Sequence, residues 1–296
     1  MHTLKKRRFT TKRTVIVLGS LLILWLLFAQ SCVSFQITDA NAKKQFKQKG
    51  LILKTGSLEI GSHEIYYTMV GNDSLPTLIF IHGSPGTWSA FSDYMEDPEM
   101  LYHYRMIAFD RPGFGYSRKG GAMNLADQSK ILESATRYFK NNRPVYLAGH
   151  SLGSPIAMQM AADMPGYFSA IGLISTPIDP ALEEKERWRS AMSIFPLKYL
   201  LPGAFRPSNE ELLFFKNDIV TLGKQLDKID CRVVLIHGKE DRWVPLGNIY
   251  YAQKKLTHAK KVDTLIVEGA NHFIPFTHRK EVKAALISMA DSSASN

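Results

Sequence analysis

Cysteine is nearly absent: Cys32 and Cys231 are the only two among 296 residues, and they lie so far apart that no disulfide framework is expected. Internal repeats and low-complexity tracts are also lacking, which argues against a solenoid or a linker-dominated chain. Acidic residues are missing from the first thirteen positions, where Lys5, Lys6, Arg7, Arg8, Lys12 and Arg13 stand. That block supplies six units of the formal net charge of +10 and leaves +4 for everything after it. No compact Lys/Arg run with interleaved aromatics follows, so a nucleic-acid partner is not expected. With 45% hydrophobic and 22% charged residues, the chain can bury the core of one large α/β domain.

The basic block precedes an almost unbroken apolar run, Thr14 to Ala29, with uncharged residues continuing to Thr38. Basic before apolar is the N-terminal membrane pattern, and it places the rest of the chain across the membrane on the extracytoplasmic side. A run of about 16 residues falls between a signal peptide's apolar core and a full span of about 20. Phe28-Ala29-Gln30-Ser31-Cys32 resembles the lipobox of bacterial lipoproteins, in which the cysteine is lipidated after cleavage. Ala29 and Gln30 depart from that pattern. Lipid attachment at Cys32 and an uncleaved signal anchor both stay open, and either one tethers the domain; the third reading, a buried helix of a soluble chain, would not need the basic flank. A single span offers no conduction path, which argues against a transport component. Residues 1–35 are thus assigned to the membrane segment and the lysine-rich residues 36–50 to a solvated linker or a helix near the membrane surface.

From residue 51 the pattern becomes that of a sheet. Leu51 to Ile60 and Glu64 to Val70 predict a hairpin around Gly61-Ser62-His63. Leu78 to Ile81, Arg105 to Phe109, Val145 to Ala148, Ile171 to Ile174, Val233 to Ile236 and Leu265 to Val267 predict further strands. Continuous apolarity in these runs implies burial on both sheet faces, hence a parallel sheet covered by helices. Leu125 to Asn142, Ile156 to Met164 and Pro275 to Ala290 predict helices, the first with Ile131, Leu132, Ala135, Tyr138 and Phe139 on one face. Residues 177 to about 223 break the alternation and are rich in aromatics, which predicts a lid over the carboxyl edge of the sheet. Residues 291–296 read as a frayed tail. Cys231, just before a core strand, is expected to pack as a small apolar residue.

The chemistry is expected in the turns that follow the strands. Gly149-His150-Ser151-Leu152-Gly153 fits a nucleophile elbow, in which glycine is needed beside the serine for want of room and the next N–H sits at a helix N-terminus. His82-Gly83-Ser84-Pro85-Gly86 ends an earlier strand, so the N–H groups of Ser84 and Leu152 are the candidate oxyanion donors. Asp110, opening Asp110-Arg111-Pro112-Gly113, is expected to hold its own loop through backbone N–H bonds. Asp241 and His272 each follow a strand, and the chain order Ser151, Asp241, His272 suits this topology. Asp179 is the rival acid.

Taken in order, His82 to Gly86, Asp110 to Gly115, Gly149 to Gly153, Gly238 to Asp241 and Gly269 to His272 resemble the successive signatures of the α/β-hydrolase superfamily, over roughly residues 51–290. The resemblance implies an α/β fold with a mostly parallel eight-stranded sheet flanked by helices and a helical cap after strand 6, at about 177–223. It also implies hydrolysis of esters, amides, lactones or thioesters with no cofactor and no metal, on a small acyl substrate. Serine at position 151 sets the chain apart from epoxide hydrolases and haloalkane dehalogenases, which resemble this fold but carry aspartate at the elbow. A carboxylic-ester hydrolase is the leading expectation. Prolyl aminopeptidases resemble the turn at His82 to Gly86 and carbon–carbon bond hydrolases the stretch Asp110 to Gly115, so both stay as alternatives. A non-catalytic ligand-binding member stays as a third.

Overall fold

The computed structural model describes residues 3–31, 35–119, 121, 123–184 and 186–291. Its centre is an eight-stranded sheet in the order β1-β2-β4-β3-β5-β6-β7-β8. The strands are β1 (Lys54–Ile60), β2 (His63–Val70), β3 (Thr77–Ile81), β4 (Arg105–Phe109), β5 (Val145–His150), β6 (Ala170–Ile174), β7 (Arg232–Gly238) and β8 (Lys261–Val267). β2 runs antiparallel to β1 and β4, and every other neighbouring pair is parallel. The mostly parallel α/β architecture expected from the apolar runs is therefore present.

Every residue of β3, β4 and β6 is buried, because helices cover both faces of the sheet. On one face the helices Leu125–Tyr138, Gly153–Asp163 and Gly247–Lys255 pack residues such as Leu132, Ile156 and Ile249 against Ile79, Leu147 and Leu173. On the other, Phe46, Trp88 and Leu286 pack against Phe80, Ala148 and Ile236. β4 flanks β3 on one side and β5 flanks it on the other. The order of the strands thus reverses at β3, the point at which open α/β sheets place their ligand crevice, outside the carboxyl ends.

Several boundaries differ from the sequence reading. Of the two readings of residues 36–50 the helix is met at Asp39–Gln48, and it docks on the domain, with Ala42 and Phe46 buried against the sheet. Asp39 Oδ1 accepts a hydrogen bond from the Tyr66 hydroxyl and Oδ2 one from Thr55, so the helix is docked at its first turn. Tyr138 does not share the buried face of Leu125–Tyr138; it is 70% exposed at the helix end. The last helix is two, Ile274–Thr277 and Arg279–Asp291. β8 begins at Lys261 rather than Leu265, because an edge strand keeps one side in solvent and tolerates polar residues. Asp263 there pairs with Arg232 of β7 at 2.7 Å. Cys231 is buried as expected, and burial pushes its thiol up to about 12. Residues 292–296 of the tail lie outside the described residues, as does Cys32.

The segment between β6 and β7 forms a cap containing the helices Trp188–Ala191 and Arg206–Leu222. Phe215, Ile219 and Leu222 pack into the main core, whereas Trp188, Phe195 and Phe214 are 48, 75 and 45% exposed. The segment is therefore both core packing and overhang. Ahead of the domain, Thr3–Ser31 is one helix whose stretch Thr11–Gln30 is long and apolar enough to cross a membrane by length and composition. Its end meets the cap: Trp25 Nε1 donates to the Leu200 carbonyl at 3.0 Å, and Gln30 Nε2 to those of Tyr199 and Leu201 at 2.9 and 3.1 Å.

Candidate active site

Ser151 follows β5 directly and has φ of +51°, a left-handed conformation forced by the sharp turn into the helix Gly153–Asp163. A side chain at Gly149 would put Cβ 2.5 Å from the Gly153 carbonyl oxygen, and one at Gly153 would lie 2.2 Å from that of Ile81. Both glycines are sterically required. The turn is locked by Ser154, whose N–H donates to the Ser151 carbonyl at 2.9 Å and whose hydroxyl donates to Gly149 O at 2.7 Å.

The loops after β7 and β8 bring Asp241 and His272 to this serine. His272 Nε2 lies 3.0 Å from Ser151 Oγ, and His272 Nδ1 lies 2.8 Å from Asp241 Oδ2. With a carboxylate as its only choice of partner, Nδ1 carries the proton, which leaves Nε2 free to accept from the serine. Burial pushes the Asp241 carboxyl up, but hydrogen bonds from His272 and the Val244 N–H outweigh it and hold the group below its usual range. Asp241 Oδ1 accepts from the N–H groups of Trp243 and Val244 at 2.9 and 2.8 Å, which fixes the carboxylate plane. Among the described residues Asp179 makes no hydrogen bond to the imidazole; its Oδ1 accepts from Ala181 N at 2.9 Å and holds its own turn.

The turn after β3 lies alongside. A Cβ on Gly83 would come within 3.0 Å of Ser151 Cβ, so the backbone of this loop approaches the serine closely. Among the described residues, neither Ser84 N–H nor Leu152 N–H donates to a protein acceptor. The Ser84 hydroxyl donates to Ser208 Oγ of the cap at 2.8 Å. Ser208 also borders an apolar cleft of about 220 Å³ between Trp188, Leu201, Pro202 and Phe205. Asp110 has the structural part expected of it: Oδ1 accepts from Trp88 N at 2.7 Å and Oδ2 from Tyr116 N at 2.8 Å.

Four neighbours of the site escaped the sequence reading. His150 Nε2 donates to the His272 carbonyl at 3.1 Å, and burial, with the nearby His272, lowers its pKa to about 3. His237 Nε2 donates to Val244 O at 2.9 Å and stands 3.9 Å from Asp241 Oδ2. The Trp243 ring lies 5.3 Å from that of His272. Arg111 is wholly buried, and its guanidinium bonds Glu211 of the cap, Gln128 and the Gly83 carbonyl. All four lie in stretches that follow predicted strands, Arg111 and His150 within their motifs and His237 and Trp243 beside Gly238 to Asp241, but no sequence pattern pointed to their partners.

An imidazole between a hydroxyl and a carboxylate, with two unengaged N–H groups at hand, can move a proton and stabilise a negatively charged oxygen. A sequence model of the α/β hydrolase fold matches residues 76–199. A pimeloyl-[acyl-carrier protein] methyl ester esterase of Yersinia pseudotuberculosis is 27% identical over 182 residues, 58% of this chain and 64% of that protein, so the match spans less than two thirds of the relative. The crystal structure of a membrane phospholipase A, described as a bacterial virulence factor, aligns with 98% of this chain and 100% of its own at 19% identity and a TM-score of 0.63. An α/β hydrolase fold protein from Burkholderia ambifaria aligns with 79% of this chain and 97% of its own at 14% identity and a TM-score of 0.65. The mostly parallel eight-stranded sheet agrees with these likenesses, and the chain has the α/β-hydrolase fold.

Proposed function

We propose that this chain is a membrane-tethered serine hydrolase that cleaves a carboxylic ester, or a related acyl bond, of a small and partly apolar substrate. The observation that carries the reading is the continuous relay from Ser151 Oγ through His272 to Asp241, with contacts of 3.0 and 2.8 Å, at a sterically enforced elbow. The esterase relative supports the same class.

In the first step Ser151 Oγ attacks the carbonyl carbon while His272 Nε2 takes its proton. The carbonyl oxygen becomes an oxyanion between the N–H groups of Ser84 and Leu152, each worth roughly 3–4 kcal/mol in sites of this kind. Collapse of the tetrahedral species breaks the bond to the leaving alcohol, which takes the proton from His272. An acyl-serine remains. Water then attacks it, again giving its proton to His272, and the acid leaves as Ser151 is restored. Asp241 stays ionised and holds the imidazole in the tautomer the attack requires. The N-terminal helix supplies the tether and keeps the catalytic domain on the extracytoplasmic face, whether retained as an anchor or replaced by a lipid on Cys32.

The test is a panel of p-nitrophenyl acyl esters of graded chain length, lactones, thioesters and prolyl amides, run on the purified full chain and on Ser151→Ala. Turnover of esters, falling by at least about a thousandfold in the variant, is expected. A fluorophosphonate probe should label the native chain and not the variant. Prolyl amide turnover without ester turnover would replace this reading, and absence of both turnover and labelling would end it.

A further inference from the structure

We infer that the edge of the cap, Ile194 to Leu201, lies within the surface layer of the same bilayer that the N-terminal helix crosses, so that the cap itself meets lipid. The inference rests on the tethered reading above and adds a second point of membrane contact. Over Thr11–Gln30 the helix rises roughly 30 Å, the thickness of the hydrocarbon core. Trp25 then lies roughly 7 Å inside the Gln30 end of that stretch. Yet the Trp25 indole is hydrogen-bonded to the Leu200 carbonyl, and Gln30 to those of Tyr199 and Leu201. A hydrogen bond has little length to spare, so this part of the cap shares the depth of the helix beside it.

The chemistry of the edge suits that depth. Ile194, Phe195 and Leu197 turn 62, 75 and 43% of their surface outward, a concentration of apolar area unfavourable in water. Segments that lie in a membrane interface bury their apolar side by about 5–10 Å, the range the helix imposes here. Tyr199 and Trp25 are of the aromatic types that settle at the headgroup level. Cations stand with them: Lys198 Nζ is 5.5 Å and the Arg206 guanidinium 5.0 Å from the centre of the Tyr199 ring. Where the chain leaves the helix, Arg118, Lys198 and Arg206 outnumber Glu210 around a cavity of about 380 Å³, a setting that attracts anionic headgroups. The apolar cleft beside Ser208 is walled by Leu201, so it begins at this same edge.

The test uses the full chain with Cys32→Ser, reconstituted in vesicles of phosphatidylcholine and phosphatidylglycerol. A bimane label is placed at Ile194→Cys, Phe195→Cys, Leu22→Cys or Tyr102→Cys in turn. Tyr102 is 78% exposed just before the amino end of β4, whereas the cap follows the carboxyl end of β6. Lipid carrying a nitroxide near the headgroup should quench the labels at 194 and 195 at least twofold, while aqueous iodide leaves them nearly untouched. Tyr102→Cys should show the reverse, and Leu22→Cys should be quenched by a nitroxide deep in the acyl chain. If Leu22→Cys escapes the deep nitroxide, the tether and the inference fall together. If it is quenched while the labels at 194 and 195 respond only to iodide, the inference alone is overturned. Labels at 194 and 195 shielded from both quenchers would mean that a second copy of the chain covers this edge, which also overturns it.

Discussion

Arg111 and Glu211 face each other as a doubly hydrogen-bonded ion pair, Nη1 to Oε2 at 2.8 Å and Nη2 to Oε1 at 3.0 Å, with both side chains almost wholly removed from water. Arg111 belongs to the loop after β4 and Glu211 to the cap, so the pair bolts the overhang to the body of the domain. Arg111 Nη2 also donates to the Gly83 carbonyl at 3.1 Å, and His82 Nδ1 stands 2.7 Å from the same oxygen. In a trans peptide C=O and N–H point in opposite directions, so holding the Gly83 oxygen aims the Ser84 N–H.

Glu211→Gln should therefore lower stability by about 3–5 kcal/mol, because it leaves a buried guanidinium without its counter-charge. The double variant Arg111→Met with Glu211→Leu should regain most of that stability, yet its kcat should stay below the native value because the Gly83 carbonyl has lost its clamp. Thermal melts read the first effect and ester turnover the second. Full recovery of both would confine the pair to holding the cap.

Asp241→Asn should cut kcat on a p-nitrophenyl ester by about 10⁴-fold, since an amide favours the wrong imidazole tautomer. Asp179→Asn should change it by less than about twofold, a surface-turn effect. The opposite ranking in steady-state kinetics would transfer the role to Asp179.

His150 is buried in its neutral form, so the folded chain refuses a proton that the unfolded chain accepts below about pH 6.5. Its contribution to stability is therefore lost as pH falls below that value, by about 1.4 kcal/mol per pH unit at most. His150→Asn can still donate to the His272 carbonyl and removes the proton site. Chemical denaturation at pH 7 and pH 5 should show a smaller loss for the variant than for the native chain.

Phe46→Ala should destabilise the domain by about 3–5 kcal/mol, since the ring is fully buried between the helix Asp39–Gln48 and the sheet. Equilibrium urea curves would check this. A change under 1 kcal/mol would return residues 36–50 to the status of a linker.

The strands were legible because burial on two faces leaves an unbroken apolar signature, and the turns because Gly149 and Gly153 answer a steric demand that only glycine meets. Ser151, Asp241 and His272 were legible as residues at strand ends, since a parallel sheet gathers such loops at one edge. For Asp39–Gln48 a helix was one of two readings, but its docking on the sheet was not legible: its buried side is only Ala42 and Phe46, hidden among lysines. The Arg111–Glu211 pair was not either, as its partners are 100 residues apart and no periodicity links them. β8 hid its first half behind Lys261 and Asp263, polar residues that suit an edge.

If the chain follows the lipoprotein route proposed above, the contacts of Trp25 and Gln30 give its processing a conformational meaning. Cleavage ahead of Cys32 would withdraw both donors together and hand the carbonyls of Tyr199, Leu200 and Leu201 to water. The matured form would then carry a brace-free roof above its serine, and the precursor a braced one. Removal of the leader would act on the catalytic chamber as well as on the address of the protein.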